Sequence, residues 1–165
     1  MLLHLKDFFT KEQCSFLSGI LLDYYKNNSL GWEGNDQHYK NSYGSIIPEF
    51  ESILEEITPK IKILLKNANI VKVNSYSRIY FNDSILKKHV DREDLEYTLS
   101  VCIFDNTNKR WPLFVEHDGG VAEVITNVGD GGLIMGTKMA HWREKLLCEE
   151  DQMVMQCFFH WKNIK

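Results

Sequence analysis

Six histidines stand in this 165-residue chain, few enough to weigh one at a time. His89-Val90-Asp91 sets an imidazole and a carboxylate two residues apart. In an extended segment, residues i and i+2 point to the same side. A neutral nitrogen and an anionic oxygen then converge on one point, as a divalent metal requires. The tripeptide alone is a weak signal, since surface pairs of this kind are common. Further on, His141 follows a short apolar run, Gly132-Leu133-Ile134-Met135, and could supply a third donor. The other histidines read as structural. His117 precedes the turn Asp118-Gly119, His160 lies in an apolar run with Phe158, Phe159 and Trp161, and His4 and His38 lack a carboxylate at ligand spacing.

Other chemistries find no support. There is no GxSxG elbow, and Asp130-Gly131-Gly132 lacks the lysine of a phosphate loop. None of Cys14, Cys102, Cys148 and Cys157 forms a CxxC pair, so zinc knuckles and thioredoxin-type centres are excluded. They read as reduced cysteines of a cytosol-like compartment. Lys87-Lys88 with Arg92 is the pattern of a solvated edge, although beside a metal it could attract an acidic substrate.

The elements that must position these residues fall into two parts. Thr10-Lys11-Glu12-Gln13 is a capping box, and Phe16, Leu17, Ile20, Leu21 and Tyr24 follow at helical spacing, which predicts a helix over 11–26. Residues 27–46 read as an irregular loop in which Trp32, His38 and Tyr43 could cover a pocket. A second helix is predicted from Pro48, carrying Phe50, Ile53, Leu54 and Ile57 inward. Pro59 should kink or restart it before it ends near Lys66. From residue 70 the chain turns to short β-rich runs: 71–81, 97–104, 111–116, 121–126, 132–135 and 153–161. Asn, Asp and Gly clusters separate them. Strands at this spacing predict a sandwich or jelly roll with helices on one face, an α+β fold.

Composition sets the bounds. The chain is 44% hydrophobic and 25% charged with a net charge of −4, an ordinary balance for a single globular domain over 1–165. Nothing approaches the run of about 20 apolar residues that a spanning helix needs. The start, Met1-Leu2-Leu3-His4-Leu5-Lys6-Asp7, meets charge too early for a secretory signal. Cytoplasmic localisation, no membrane partner and no nucleic-acid partner are the expectations; the oligomeric state is left open.

Two histidines and a carboxylate on one face of iron, with three positions open, is the arrangement of non-haem Fe(II) oxygenases. Here a composite pattern appears: Arg78-Ile79-Tyr80, His89-Val90-Asp91-Arg92, Trp111-Pro112-Leu113, Asp118-Gly119, Gly129-Asp130 and His141-Trp142-Arg143. Over residues 70–162 it resembles the 2-oxoglutarate/Fe(II)-dependent oxygenases, and most of all their small prolyl-4-hydroxylase-like branch. The resemblance implies a double-stranded β-helix core over about 70–162, buttressed by helices over about 1–68. It implies an Fe(II) held by His89, Asp91 and His141, with 2-oxoglutarate and O2 as cosubstrates and ascorbate as a supporting reductant. The implied reaction is hydroxylation of a C–H bond, first of all in a prolyl residue of a peptide or protein, with small molecules as other substrates. Tyr80 would bond the cosubstrate, Arg78 would approach the carboxylate nearer the metal, and Ser100 would sit inside the barrel.

One departure stands out. Such enzymes carry an arginine or lysine shortly after the distal histidine to hold the far carboxylate of 2-oxoglutarate, whereas this chain has Glu149-Glu150-Asp151-Gln152-Met153. A carboxylate buried without a cation is costly. Arg143 is therefore the first candidate for that role, with Lys145 and Lys138 behind it. The missing cation keeps two alternatives open: a non-catalytic jelly-roll binding module, and a cupin-like metal protein that does not use 2-oxoglutarate.

Overall fold

The computed structural model describes residues 1–32 and 41–164. In chain order the elements are β1 (Leu2–Leu5), α1 (Lys11–Lys26), β2 (Gly31–Trp32), β3 (Ser42–Ser45), α2 (Pro48–Leu65), β4 (Ile70–Tyr80), β5 (Leu86–His89), β6 (Tyr97–Asp105), β7 (Leu113–His117), β8 (Gly120–Val124), β9 (Gly131–Ile134), β10 (His141–Arg143) and β11 (Val154–Asn163). The strands form a seven-stranded sheet in the order β1-β9-β6-β11-β4-β3-β2 and a four-stranded sheet in the order β5-β10-β7-β8. Their recorded pairings are antiparallel, and the interleaved order is that of a double-stranded β-helix.

Both helices begin where the sequence predicts. Gln13 N donates to Thr10 Oγ1 and Thr10 N to Gln13 Oε1, which completes the capping box of α1. Pro48 opens α2, where a missing N–H costs nothing. The helix ends at Lys66, which adopts a left-handed conformation with φ 50°. Cys14, Leu17 and Leu21 of α1 and Phe50, Leu54, Ile57 and Ile61 of α2 pack with Ile79, Leu99, Val101, Met155, Cys157, Phe159 and Trp161 of the large sheet. Each such side chain contributes about 1.5–3 kcal/mol relative to exposure.

β6 and β11 have two faces. Leu99, Val101 and Ile103, like Met155, Cys157 and Phe159, join the helical core. The alternate residues, Thr98, Ser100 and Cys102 on one strand and Gln156, Phe158 and His160 on the other, turn toward the second sheet, as the two-residue period of a strand demands. The second sheet supplies a smaller apolar cluster of Leu86, Leu113, Val115 and Val124 with Ile134 and Met139.

Several expectations need correction. α2 is continuous through Pro59, so the proline neither stops nor restarts it. The helix over 11–26 forms as Lys11–Lys26, with Phe16 exposed and Cys14, Leu17, Ser18 and Leu21 buried. The segment 27–46 is not wholly irregular, since β2 and β3 extend the large sheet beside β4. Tyr43 packs on Tyr25 and Phe81 with ring centroids 5.0 and 5.9 Å away. His38 and the rest of 33–40 lie outside the described residues. β1, β5 and β10 appear where no strand was predicted, and β1 brings His4 Nε2 to 3.9 Å from Asp130 Oδ2, a carboxylate partner distant in sequence. Among the described residues no helix is long and apolar enough to cross a membrane.

Candidate metal centre

Antiparallel pairing of β10 with β5 places His141 directly opposite His89. The two rings lie 4.4 Å apart between centroids. Asp91 follows just past the end of β5, and its backbone N–H donates to the Gly136 carbonyl at 2.9 Å. Its Oδ1 then stands 3.6 Å from His89 Nε2 and 3.5 Å from His141 Nε2. One ligand atom from each residue lies within 4.8 Å of the others. That is compact enough for a single divalent ion to touch all three, since such ions hold nitrogen and oxygen donors at about 2.0–2.2 Å.

The hydrogen-bond pattern around the three fits that use. His89 Nδ1 donates to the Lys87 carbonyl at 2.8 Å, and His141 Nδ1 to the Met139 carbonyl at 2.9 Å. In its neutral form each ring then carries its hydrogen on Nδ1 and leaves Nε2 as a lone-pair donor, the usual support of a metal-binding histidine. Thr98 Oγ1 donates to Asp91 Oδ2 at 2.5 Å and leaves Oδ1 turned to the imidazoles. Gly136 closes the cradle. A methyl group there would lie 2.0 Å from Asp91 Oδ2 and 2.7 Å from Thr98 Oγ1, so the carboxylate could not keep its position beside any larger residue.

Electrostatics agree with the geometry. Burial disfavours the Asp91 anion, but the hydrogen bonds from His141, His89 and Thr98 win and hold its pKa well below the carboxylate range. Burial pulls the His89 pKa down, yet its bonds with Asp91 and Lys87 O raise it on balance.

The three side chains open onto a cavity of about 210 Å³. Its walls include Leu86, Leu113, Ile134 and Phe158, with Arg78, Ser100 and Arg92 as polar members. Arg78 is buried, and its Nη1 and Nη2 donate to Ser42 Oγ at 2.8 Å and Tyr76 Oη at 3.1 Å. Ser100 Oγ donates to Gln156 Oε1 at 3.2 Å. Tyr80 and Arg143 do not line the cavity. They lie in an adjoining layer with Trp111: the Tyr80 and Trp111 rings meet at 5.0 Å, and the Arg143 guanidinium lies 4.7 Å over Trp111. Arg143 is 2% exposed and donates to the Trp111 carbonyl at 2.6 Å. Lys138 and Lys145 are exposed, and Lys145 pairs with Asp83 at 3.3 Å. His160 is a buried barrel residue and His117 an exposed turn residue, as read from sequence, but His160 also lines the cavity.

The sequence reading missed Thr98, Gly136, Asn74 and Tyr76. Thr98 could have been found: in Tyr97–Asp105 the small and polar residues Thr98, Ser100 and Cys102 alternate with apolar ones. Gly136 gave no local signal, because its constraint comes from a carboxylate far away in the chain.

No protein-family model and no curated protein matches the chain. Solved structures do. A Pseudomonas putida prolyl-4-hydroxylase superposes with a TM-score of 0.75 at 11% identity, over 96% of this chain and 91% of that one. The viral collagen prolyl hydroxylase of Paramecium bursaria Chlorella virus-1, solved as a 2-oxoglutarate complex, gives 0.72 at 11% identity over 99% and 96%. The fold is that of the 2-oxoglutarate/Fe(II) oxygenases. HygX from Streptomyces hygroscopicus, solved with nickel, 2-oxoglutarate and hygromycin B, gives 0.64 at 11% identity over 96% and 82%. The prolyl hydroxylases and a protein solved with hygromycin B thus share one architecture, and at this identity the likeness concerns architecture alone.

Proposed function

We propose that this protein is an Fe(II)- and 2-oxoglutarate-dependent dioxygenase that hydroxylates a C–H bond, with His89, Asp91 and His141 as the metal ligands. One observation carries the reading: two imidazoles, each tied at Nδ1 to a backbone carbonyl, turn Nε2 toward one carboxylate oxygen beside a cavity. Two histidines and one carboxylate leave half of an octahedral sphere open, which suits non-haem iron better than a closed structural zinc site. Bound there, Fe(II) would couple the oxidative decarboxylation of 2-oxoglutarate by O2, giving succinate and CO2, to insertion of one oxygen atom into the substrate.

The protein's own residues do the rest. Thr98 and Gly136 hold the carboxylate in place, and Leu86, Leu113, Ile134 and Phe158 exclude water. Arg78, on the cavity wall, serves the carboxylate nearer the metal. For the far carboxylate we propose Arg143, which lies in the layer adjoining the cavity rather than on its wall, so that 2-oxoglutarate would have to extend into that layer. Arg143 is a permanently charged guanidinium with burial working against its charge, stacked on Trp111 and bonded to a backbone carbonyl, and its electrostatic neighbours include Tyr80 and Asp105. A buried cation in that setting gains most from an anionic ligand. Tyr80, beside it, is the hydroxyl that completes the cradle.

We take a prolyl residue in a peptide as the leading substrate, a reading supported by the architecture shared with prolyl hydroxylases. The class is tested by adding 2-oxoglutarate to the Fe(II) protein without oxygen, then admitting O2. A visible metal-to-ligand charge-transfer band followed by succinate is the expected result, with both abolished in His141→Ala. No band and no succinate from a metal-loaded protein would exclude the reading.

A further inference from the structure

The cavity wall formed by β4 and β11 carries polar atoms that neither the metal nor the cosubstrate assignments use. Asn74 and His160 both line it. The register of the two strands slips between Phe159 and Trp161, which face Ser75 and Lys72. Bulges of this kind re-aim side chains next to active sites. Here the irregularity lets the Asn74 carbonyl accept from His160 Nδ1 at 3.0 Å. The hydrogen therefore sits on Nδ1, and Nε2 is left as an acceptor. Burial holds this imidazole below its ordinary pKa despite Asp91, so the ring stays neutral. Asn74 Oδ1 is buried and, among the described residues, accepts no hydrogen bond. Buried oxygens are rarely left so in a finished site, and a ligand donor is one way to satisfy them.

Size restricts what can approach. The cavity of about 210 Å³ must also take the metal-binding end of the cosubstrate, so it admits a single residue of a peptide and not a folded segment. Arg92 belongs both to this cavity and to an outer groove lined by Val71, Glu96 and Lys162, which offers room for flanking residues. A prolyl residue within a chain has no N–H of its own. The nearest donor it brings is the amide that follows it.

We propose that Asn74 Oδ1 and His160 Nε2 are substrate-positioning acceptors that hold the amide N–H on the C-terminal side of the target residue. This rests on the prolyl hydroxylase reading above. The test uses the protein loaded with Ni(II) and 2-oxoglutarate, which binds without turning over. N-acetyl-L-prolinamide and its N,N-dimethylamide, which lacks the donor, are titrated in by calorimetry. The expected result is at least tenfold weaker binding of the dimethylamide. In Asn74→Ala and His160→Leu the two probes should bind alike, while Ni(II) and 2-oxoglutarate affinities stay unchanged. His160→Gln, which restores an acceptor, should recover part of the preference. If His160→Leu does not fold, Asn74→Ala carries the comparison. Equal binding of both probes to the unmodified protein would overturn the role of the pair and leave the prolyl reading standing. Binding of neither probe, with metal and 2-oxoglutarate bound, would overturn the prolyl reading and this inference together.

Discussion

At the residue scale, the chemistry depends on protons already committed elsewhere. Both imidazoles spend Nδ1–H on carbonyls two residues away, which leaves Nε2 for a metal, and on His89 a proton there must leave first. His89 gives up that proton reluctantly, because its bonds with Asp91 and Lys87 O outweigh burial and raise its pKa above the ordinary value. Protons therefore compete with metal from a higher pH than an unperturbed histidine, near 6.5, would allow. Metal affinity is expected to rise with pH through the raised His89 pKa, by about tenfold per unit where one proton is displaced, and then level off. Calorimetry with Ni(II) across that range checks it; a flat affinity would mean that His89 is not a ligand. Arg143 makes a separate prediction. Arg143→Met keeps the apolar stem and removes the charge, so metal affinity should persist while stabilisation by added 2-oxoglutarate, read as a shift in Tm, disappears. The HxD pair and His141 were legible in the sequence because few residue types can do their work. Asn74, Gly136 and the second role of His160 were not, since each matters only through neighbours the fold supplies.

At the element scale, legibility tracks length. α1 and α2 announced themselves by a capping box, by Pro48 and by many turns of apolar period. The strands that carry the histidines did not: β5 reads Leu-Lys-Lys-His and β10 His-Trp-Arg, too short and too polar to show a period. Their existence is decided by partners, since β10 is held between β5 and β7. Helix and site are energetically separate. The capping box of α1 is remote from the cavity, so Thr10→Ala should cost about 1 kcal/mol of stability, visible in denaturant unfolding, with metal affinity unchanged. A loss of metal binding in that variant would show that the helical layer and the site are coupled. Pro59 shows the converse limit: local propensity argues for a break, and α2 continues because Leu54, Ile57 and Ile61 on either side of it are buried against the large sheet.

At the scale of the whole molecule, the two sheets have different tasks. The large sheet takes the helices on its outer face and lends its inner face to the cavity; the small sheet contributes both histidines. The jelly-roll layout was visible in the spacing of turn clusters, but which strands would pair across the barrel was not, because pairing order is a property of the closed structure. Whether three side chains share one ion decides the proposed chemistry. Anaerobic calorimetric titration with Fe(II) tests this most directly, on the unmodified protein and on His89→Ala, Asp91→Ala and His141→Ala. One ion bound per chain, with affinity lost in each variant while Tm without metal stays near that of the parent, is the predicted result. Undiminished binding in any of the three, or no binding to the parent, would contradict it.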